Sequence, residues 1–179
     1  MSIIPFGIAW FLAANPEQVK LGTNNGDLIS PPLVTEINQF SGYDEFSAAN
    51  LKELQGHWVM INLVPETCGD VCQDGLYKTR QLSLMMGKDI ARIRRLALMP
   101  TKKDSILPAQ WQDDGRLLKM LAAAPLQEKI TQLINLPAQD GALLIMDPLG
   151  NLMMKYATGF DPYKVRNDLS KLLRISQIG

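Results

Sequence analysis

The stretch HWVMINLVPETCGDVCQDGLYKTR, residues 57–80, decides how the rest of the chain is to be read. His57 to Val64 is a continuous apolar run bounded by Gly56 and Pro65, the pattern of a strand covered on both faces. The chain's only two cysteines, Cys68 and Cys72, follow directly. Helical spacing then sets in at Leu76, Thr79, Ser83 and Met86, and Gly87 supplies a stop. The stretch predicts a buried strand, a loop holding Cys68, and a helix with Cys72 in its first turn.

That placement has chemical consequences. A helix N-terminus offers unpaired N–H groups and the positive end of the dipole, both of which favour a thiolate. Asp70, between the cysteines, opposes this, because a neighbouring carboxylate disfavours a second negative charge. Two cysteines inside a helix at i and i+4 hold their Cβ atoms ~5–6 Å apart. A disulfide wants roughly 3.5–4.5 Å, so a bridge requires Cys68 to lie outside regular helix. Pro65-Glu66-Thr67 is a suitable non-helical lead-in. Redox exchange, a soft-metal site and a static disulfide all remain open. Two thiolates would select Cu(I). His57 is the sole histidine and begins the strand that the cysteines follow, which puts it at the far end, on the order of 20 Å away. It is expected not to be a ligand. Met99, soft and ending the next strand, is nearer, with a core role as its ordinary reading.

Downstream, Ile93 to Met99 reads as a second strand closed by Pro100, with Arg92, Arg94 and Arg95 expected on its solvent side. A loop carries Pro108 and Trp111, and GRLLKMLAAAPLQEKITQLI, 115–134, reads as a helix interrupted at Pro125. Ala142–Met146 and Leu152–Tyr156 form a hairpin around Asp147-Pro148-Leu149-Gly150-Asn151. Asp161 is an N-cap candidate with Pro162 at the first helical position. Val165, Leu169, Leu172, Leu173 and Ser176 then make one face. Upstream, Leu33 to Phe40 is expected to be a short strand, and residues 41–56 turns with a short amphipathic piece. Residues 15–32, rich in Asn, Gly and Pro, read as a linker. Residues 1–14 hold an apolar, charge-free run shorter than the ~20 residues that cross a bilayer.

Bulk composition narrows the function classes. With 179 residues, 46% hydrophobic and 20% charged, the chain can bury a core, and disorder is disfavoured. Eighteen basic residues balance eighteen acidic ones, so there is no basic surplus to drive nucleic-acid binding. A single histidine excludes histidine-pair metal sites and leaves little room for Ser-His-Asp machinery. Chemistry must rest on the thiols, the carboxylates or shape. The element order, a βαβ unit then a helix and a ββα unit, implies an α/β thioredoxin-like three-layer sandwich spanning 33–179, a mixed sheet flanked by helices.

GHWVMINLVPETCGDVCQDGLYKTRQLSLMMGKD, RIRRLALMP and ALLIMDPLGNLM resemble the Sco/SenC group, in particular the small membrane-anchored proteins associated with cytochrome oxidase assembly in proteobacteria. The C-x-x-x-C loop after an apolar strand and the Asp-Pro-x-Gly turn carry the resemblance, over about residues 51–174. It implies a domain on the periplasmic face of the bacterial inner membrane, with 1–14 as the end of a truncated anchor. It further implies that Cys68, the nucleophile or first sulfur ligand, and Cys72, the resolving or second, act on a protein client, an oxidase subunit or its assembly factor. The family's copper-binding histidine would fall near Gln139, where LPAQDGALL has none, and Gly69 and Gln73 stand where many members have prolines. The favoured expectation is an accessory protein for cytochrome c oxidase assembly acting by thiol redox, weak copper handling, or both. The alternatives are a periplasmic thiol–disulfide oxidoreductase with another client, and a non-catalytic binding module braced by a structural disulfide.

Overall fold

A computed structural model describes residues 25–100, 107–134 and 141–176. Seven strands form one mixed sheet: β1 Asp27–Val34, β2 Phe40–Gly42, β3 Trp58–Leu63, β4 Ile93–Met99, β5 Leu117–Ala122, β6 Leu143–Met146 and β7 Asn151–Tyr156. Among the described residues five helices accompany them: α1 Glu45–Ala49, α2 Asp70–Met85, α3 Ala109–Gln112, α4 Ala124–Ile134 and α5 Pro162–Ile175. The strand order is β1-β7-β6-β3-β4-β5-β2, so β3 lies in the middle. β3, β4 and β5 run parallel, and the other pairings are antiparallel.

Every residue of β3 is buried, as a central strand covered on both faces must be. Trp58 and Met60 point to the face that takes Leu82 of α2 and Val165, Leu169 and Leu173 of α5. Val59, Ile61 and Leu63 point to the opposite face, against Leu126, Ile130 and Ile134 of α4. Helix, sheet and helix thus make the three layers expected of the fold. A third cluster, Val64, Cys68, Cys72, Leu76, Ala97, Met99, Leu107, Trp111 and Leu117, sits where β3 and β4 end. The hairpin and the C-terminal helix appear as read from sequence, and the Asp161 carboxylate caps α5 by accepting from the Tyr163 N–H at 2.9 Å.

Three expectations are corrected. Residues 115–134 are not one interrupted helix: Leu117–Ala122 is a strand, and the helix begins only at Ala124. Leu, Lys, Met and Ala are good helix formers, but pairing with β4 on one side and β2 on the other overrides that preference. Pro125 therefore sits in a first turn, where its missing N–H costs nothing. Secondly, the strand expected at Leu33–Phe40 begins at Asp27, within the stretch read as linker, and ends at Val34. A short 3-10 turn at Ile37–Gln39 separates it from β2. The start of β1 is held by Asp168 of α5, whose carboxylate accepts from the N–H groups of Asn25 and Gly26, each at 2.9 Å. It also accepts from the Tyr156 hydroxyl at 2.7 Å. Thirdly, Arg95 does not face solvent: its side chain is 5% exposed and pairs with Asp114.

Candidate redox site

Chain geometry at the end of β3 separates the two cysteines as required. Val64 extends the parallel pairing through its N–H to Leu98 O, at 3.1 Å. Pro65 to Gly69 then turn out of the sheet, and α2 starts at Asp70. Cys68 lies outside the helix and Cys72 in its first turn. The two are joined by a disulfide with Cα atoms 5.2 Å apart. No side chain caps α2: Gly69 is the N-cap residue, so the first-turn N–H groups are not engaged by a capping side chain. Both sulfurs belong to a buried cluster, Cys72 at 2% exposure and Cys68 at 8%. Glu66, Gly69 and Asp70 around them are exposed.

The neighbouring loop makes a close backbone approach. Gly141 adopts φ +73° and donates its N–H to Leu63 O at 3.2 Å, while Leu63 N–H donates to Ala142 O at 3.0 Å. A Cβ at Gly141 would lie 2.8 Å from Val71 O, and one at Gly75 would lie 3.2 Å from Gly141 O. Glycines at both places let α2 and the strand-entry loop touch beside the disulfide.

α3 is linked to the disulfide loop through Gln110 and Gln73 and shares its buried cluster through Trp111. Leu107 and Trp111 pack in the same cluster as both sulfurs. The Gln110 amide donates to Gln73 Oε1 at 3.2 Å, and the Gln73 amide donates to Cys68 O at 3.3 Å. Arg80 of α2 lies 4.6 Å from the Trp111 ring centroid, within cation–π range. Beneath, Arg95 Nη1 donates to Asp114 Oδ2 at 2.9 Å. Arg95 Nε and Nη2, and Trp111 Nε1, are buried with no partner among the described residues. Each such donor costs about 1–3 kcal/mol, and more where it is charged. Burial pushes the Arg95 guanidinium below its ordinary value; Asp114 opposes this, and like charge from Arg80 and Arg116 adds to it. Burial would raise Asp114, but the Arg116 N–H and the Arg95 charge outweigh it and hold the carboxyl below its ordinary 3.8.

The cysteines are together, as the spacing required. His57 precedes β3 at the opposite end, with Nδ1 2.9 Å from Glu53 O and Nε2 3.1 Å from Arg94 Nη2, so it is not a ligand to this site. Met99 is buried in the cysteine cluster. Gln139 lies outside the described residues, as does the apolar segment 1–14. Among the described residues, no three His, Cys, Asp or Glu side chains converge as a metal site would require, and no helix is long and apolar enough to cross a membrane. For Cu(I) the donors present are the two sulfurs, once reduced, with one thioether in the same cluster. Sequence reasoning gave Gln73, Gln110, Arg80 and Arg95 no role at this site. One signal was available: Ile93, Arg95, Ala97 and Met99 share one face of β4, and an arginine in an otherwise apolar set points inward.

A dithiol or disulfide at the N-terminus of the first helix after a central parallel strand, with a ββα unit closing the sheet, defines a thioredoxin-like protein. The chain belongs to the family described as transmembrane-like, thioredoxin-like, C-terminal domain, whose model matches residues 58–176. Solved structures with the same fold include copper-bound Sco1 of yeast, 17% identical, TM-score 0.53, covering 69% of this chain and 82% of its own. A SCO1/SenC family lipoprotein of Bacillus anthracis is 15% identical, TM-score 0.52, covering 81% of this chain and 99% of its own. A putative electron transfer protein of Aquifex aeolicus is 14% identical, TM-score 0.53, covering 76% and 90%. At these identities the likeness is one of fold. No curated protein matches the chain in sequence.

Proposed function

We propose that the protein is an extracytoplasmic accessory factor for cytochrome c oxidase assembly, held at the membrane through its N-terminal segment, that exchanges thiols and disulfides with a protein client. The observation that carries this reading is the asymmetric pair: Cys68 outside the helix and the more exposed of the two, Cys72 in the uncapped first turn of α2. A client thiolate attacks Cys68 Sγ and the Cys68–Cys72 bond breaks. Cys72 leaves with the electron pair as a thiolate favoured by the helix N-terminus. A second client thiolate then attacks the client sulfur of the mixed disulfide and releases Cys68. The client gains a disulfide and this protein becomes a dithiol; the reverse reaction reduces a client. The Sco-type fold of the structural neighbours, one of them a lipoprotein, supports the compartment and the client class.

In the reverse direction Cys68 attacks a client disulfide and Cys72 then displaces the client, so a Cys72→Ser variant lacks the resolving thiol. In membranes it is expected to trap one client on Cys68, released by reductant and absent from the double serine variant. No adduct, or growth and oxidase content indifferent to both serine variants, would leave a binding module with a structural disulfide.

The burial of Met99 with both sulfurs favours a second reading, in which the reduced pair carries Cu(I) as cargo. Competition against a Cu(I) chelator tests it: one-to-one binding lost in the double serine variant and weakened about tenfold or more in Met99→Leu supports it. Binding equal to that of the double variant sinks it.

A further inference from the structure

Charge at the disulfide end of the sheet is one-sided. The connections that the structure describes there, residues 64–73, 107–111, 141–142 and 157–161, carry Glu66, Asp70 and Asp161 and neither lysine nor arginine. Glu66 and Asp70 are exposed, two residues before and two after Cys68, which keeps their Cα atoms within ~7 Å of its own. Asp74, one turn further along α2, is paired with Lys78 at 2.9 Å and adds little to the field. In sequence, segments 101–106 and 135–140 balance Lys102 and Lys103 with Asp104 and Asp140. Space is open between the two carboxylates: a Cβ at Gly69 would meet nothing within 4 Å. A client segment laid across Gly69 therefore brings its own charges beside Glu66 and Asp70.

Thiol exchange makes this charge consequential. One thiolate approaches Cys68 Sγ and another leaves from Cys72, both beside carboxylates that disfavour further negative charge. Positive charge on the client offsets that cost, and negative charge adds to it. We infer that Glu66 and Asp70 are specificity residues that select clients whose cysteine is flanked by lysine or arginine. This rests on the exchange reading above and specifies the chemistry of its partner.

Two blocked pentapeptides, Gly-Lys-Cys-Lys-Gly and Gly-Gln-Cys-Gln-Gly, test this on the oxidised full-length chain. Rates of disulfide opening are compared at equal thiolate concentration and low ionic strength, with the glutamine peptide as internal reference. The lysine-to-glutamine rate ratio is expected to fall about threefold or more in Glu66→Gln/Asp70→Asn. Any change in Cys72 as a leaving group acts on both peptides alike and cancels in the ratio. Raised salt should shrink the wild-type ratio. Glu36→Gln/Glu128→Gln makes the same change in net charge at exposed positions, one beyond the far end of β1 and one on α4 across the sheet, and should leave the ratio as in wild type. A ratio unmoved in Glu66→Gln/Asp70→Asn, or lowered equally in the distant variant, overturns the inference. If neither peptide opens the disulfide in native protein, the exchange reading itself fails, and that result differs from equal rates with both peptides.

Discussion

At the residue scale, Cys68 and Cys72 differ because one terminates a loop and the other opens a helix. Backbone position sets both the access of Cys68 and the electrostatic advantage of Cys72. With fully reduced protein and limiting iodoacetamide, Cys68 is expected to be alkylated in several-fold excess, read by peptide mass spectrometry; equal labelling would contradict the asymmetry. Asp114 carries a pH prediction. Its carboxyl is held below 3.8 in the folded state, so its contribution to stability is present above that value and is lost as pH falls through the lower folded value. Denaturant midpoints between pH 5 and about 2.5 should drop more steeply in wild type than in Asp114→Asn. Residue types and spacing were enough to single out Cys68 and Cys72. Arg95 was misread because an isolated arginine in a strand is ordinarily solvated, and its carboxylate partner Asp114 comes from nineteen residues along the chain.

At the scale of elements, the contact between α2 and the loop entering β6 depends on two glycines. Gly141→Ala places a Cβ against Val71 O in a positive-φ position and is expected to cost about 1–3 kcal/mol in denaturant unfolding. Gly75→Ala should cost less, since alanine's helix propensity offsets part of the crowding. A neutral Gly141→Ala would mean the loop can retreat from α2 at no expense. The elements that were legible carried two agreeing signals. Trp58–Leu63 combined an apolar run with bounding Gly56 and Pro65, and α5 combined a cap, an N1 proline and an apolar face. Leu117–Ala122 carried conflicting ones. Leu117, Leu118, Lys119 and Met120 are all buried, so no alternation marks a strand, and the buried lysine is held by Leu117 O of its own strand at 3.3 Å and by the sequence-distant Asp44 carboxylate at 3.4 Å.

Across the whole molecule, topology explains why chemistry gathers where it does. Parallel β3, β4 and β5 all point their C-terminal ends the same way, and the connections leaving β3 and β4 meet there. The disulfide, Met99 and Trp111 are brought together by that convergence. The order β3, α2, β4 was readable from sequence, which is why the site could be placed before its surroundings were known. The insertion of β5 and the entry of Trp111 into the cluster of the sulfurs depend on long-range pairing that no local pattern encodes. The central claim, that the disulfide is an exchangeable couple and not a brace, has a direct measurement. The full chain is equilibrated in thiol–disulfide buffers of graded potential, and the reduced fraction is read by alkylation and by tryptophan fluorescence, Trp111 sharing the buried cluster of the two sulfurs. The account predicts a reversible two-electron transition in native protein with a midpoint above about −300 mV. A disulfide that stays closed below that potential, opening only when the protein unfolds, would contradict it.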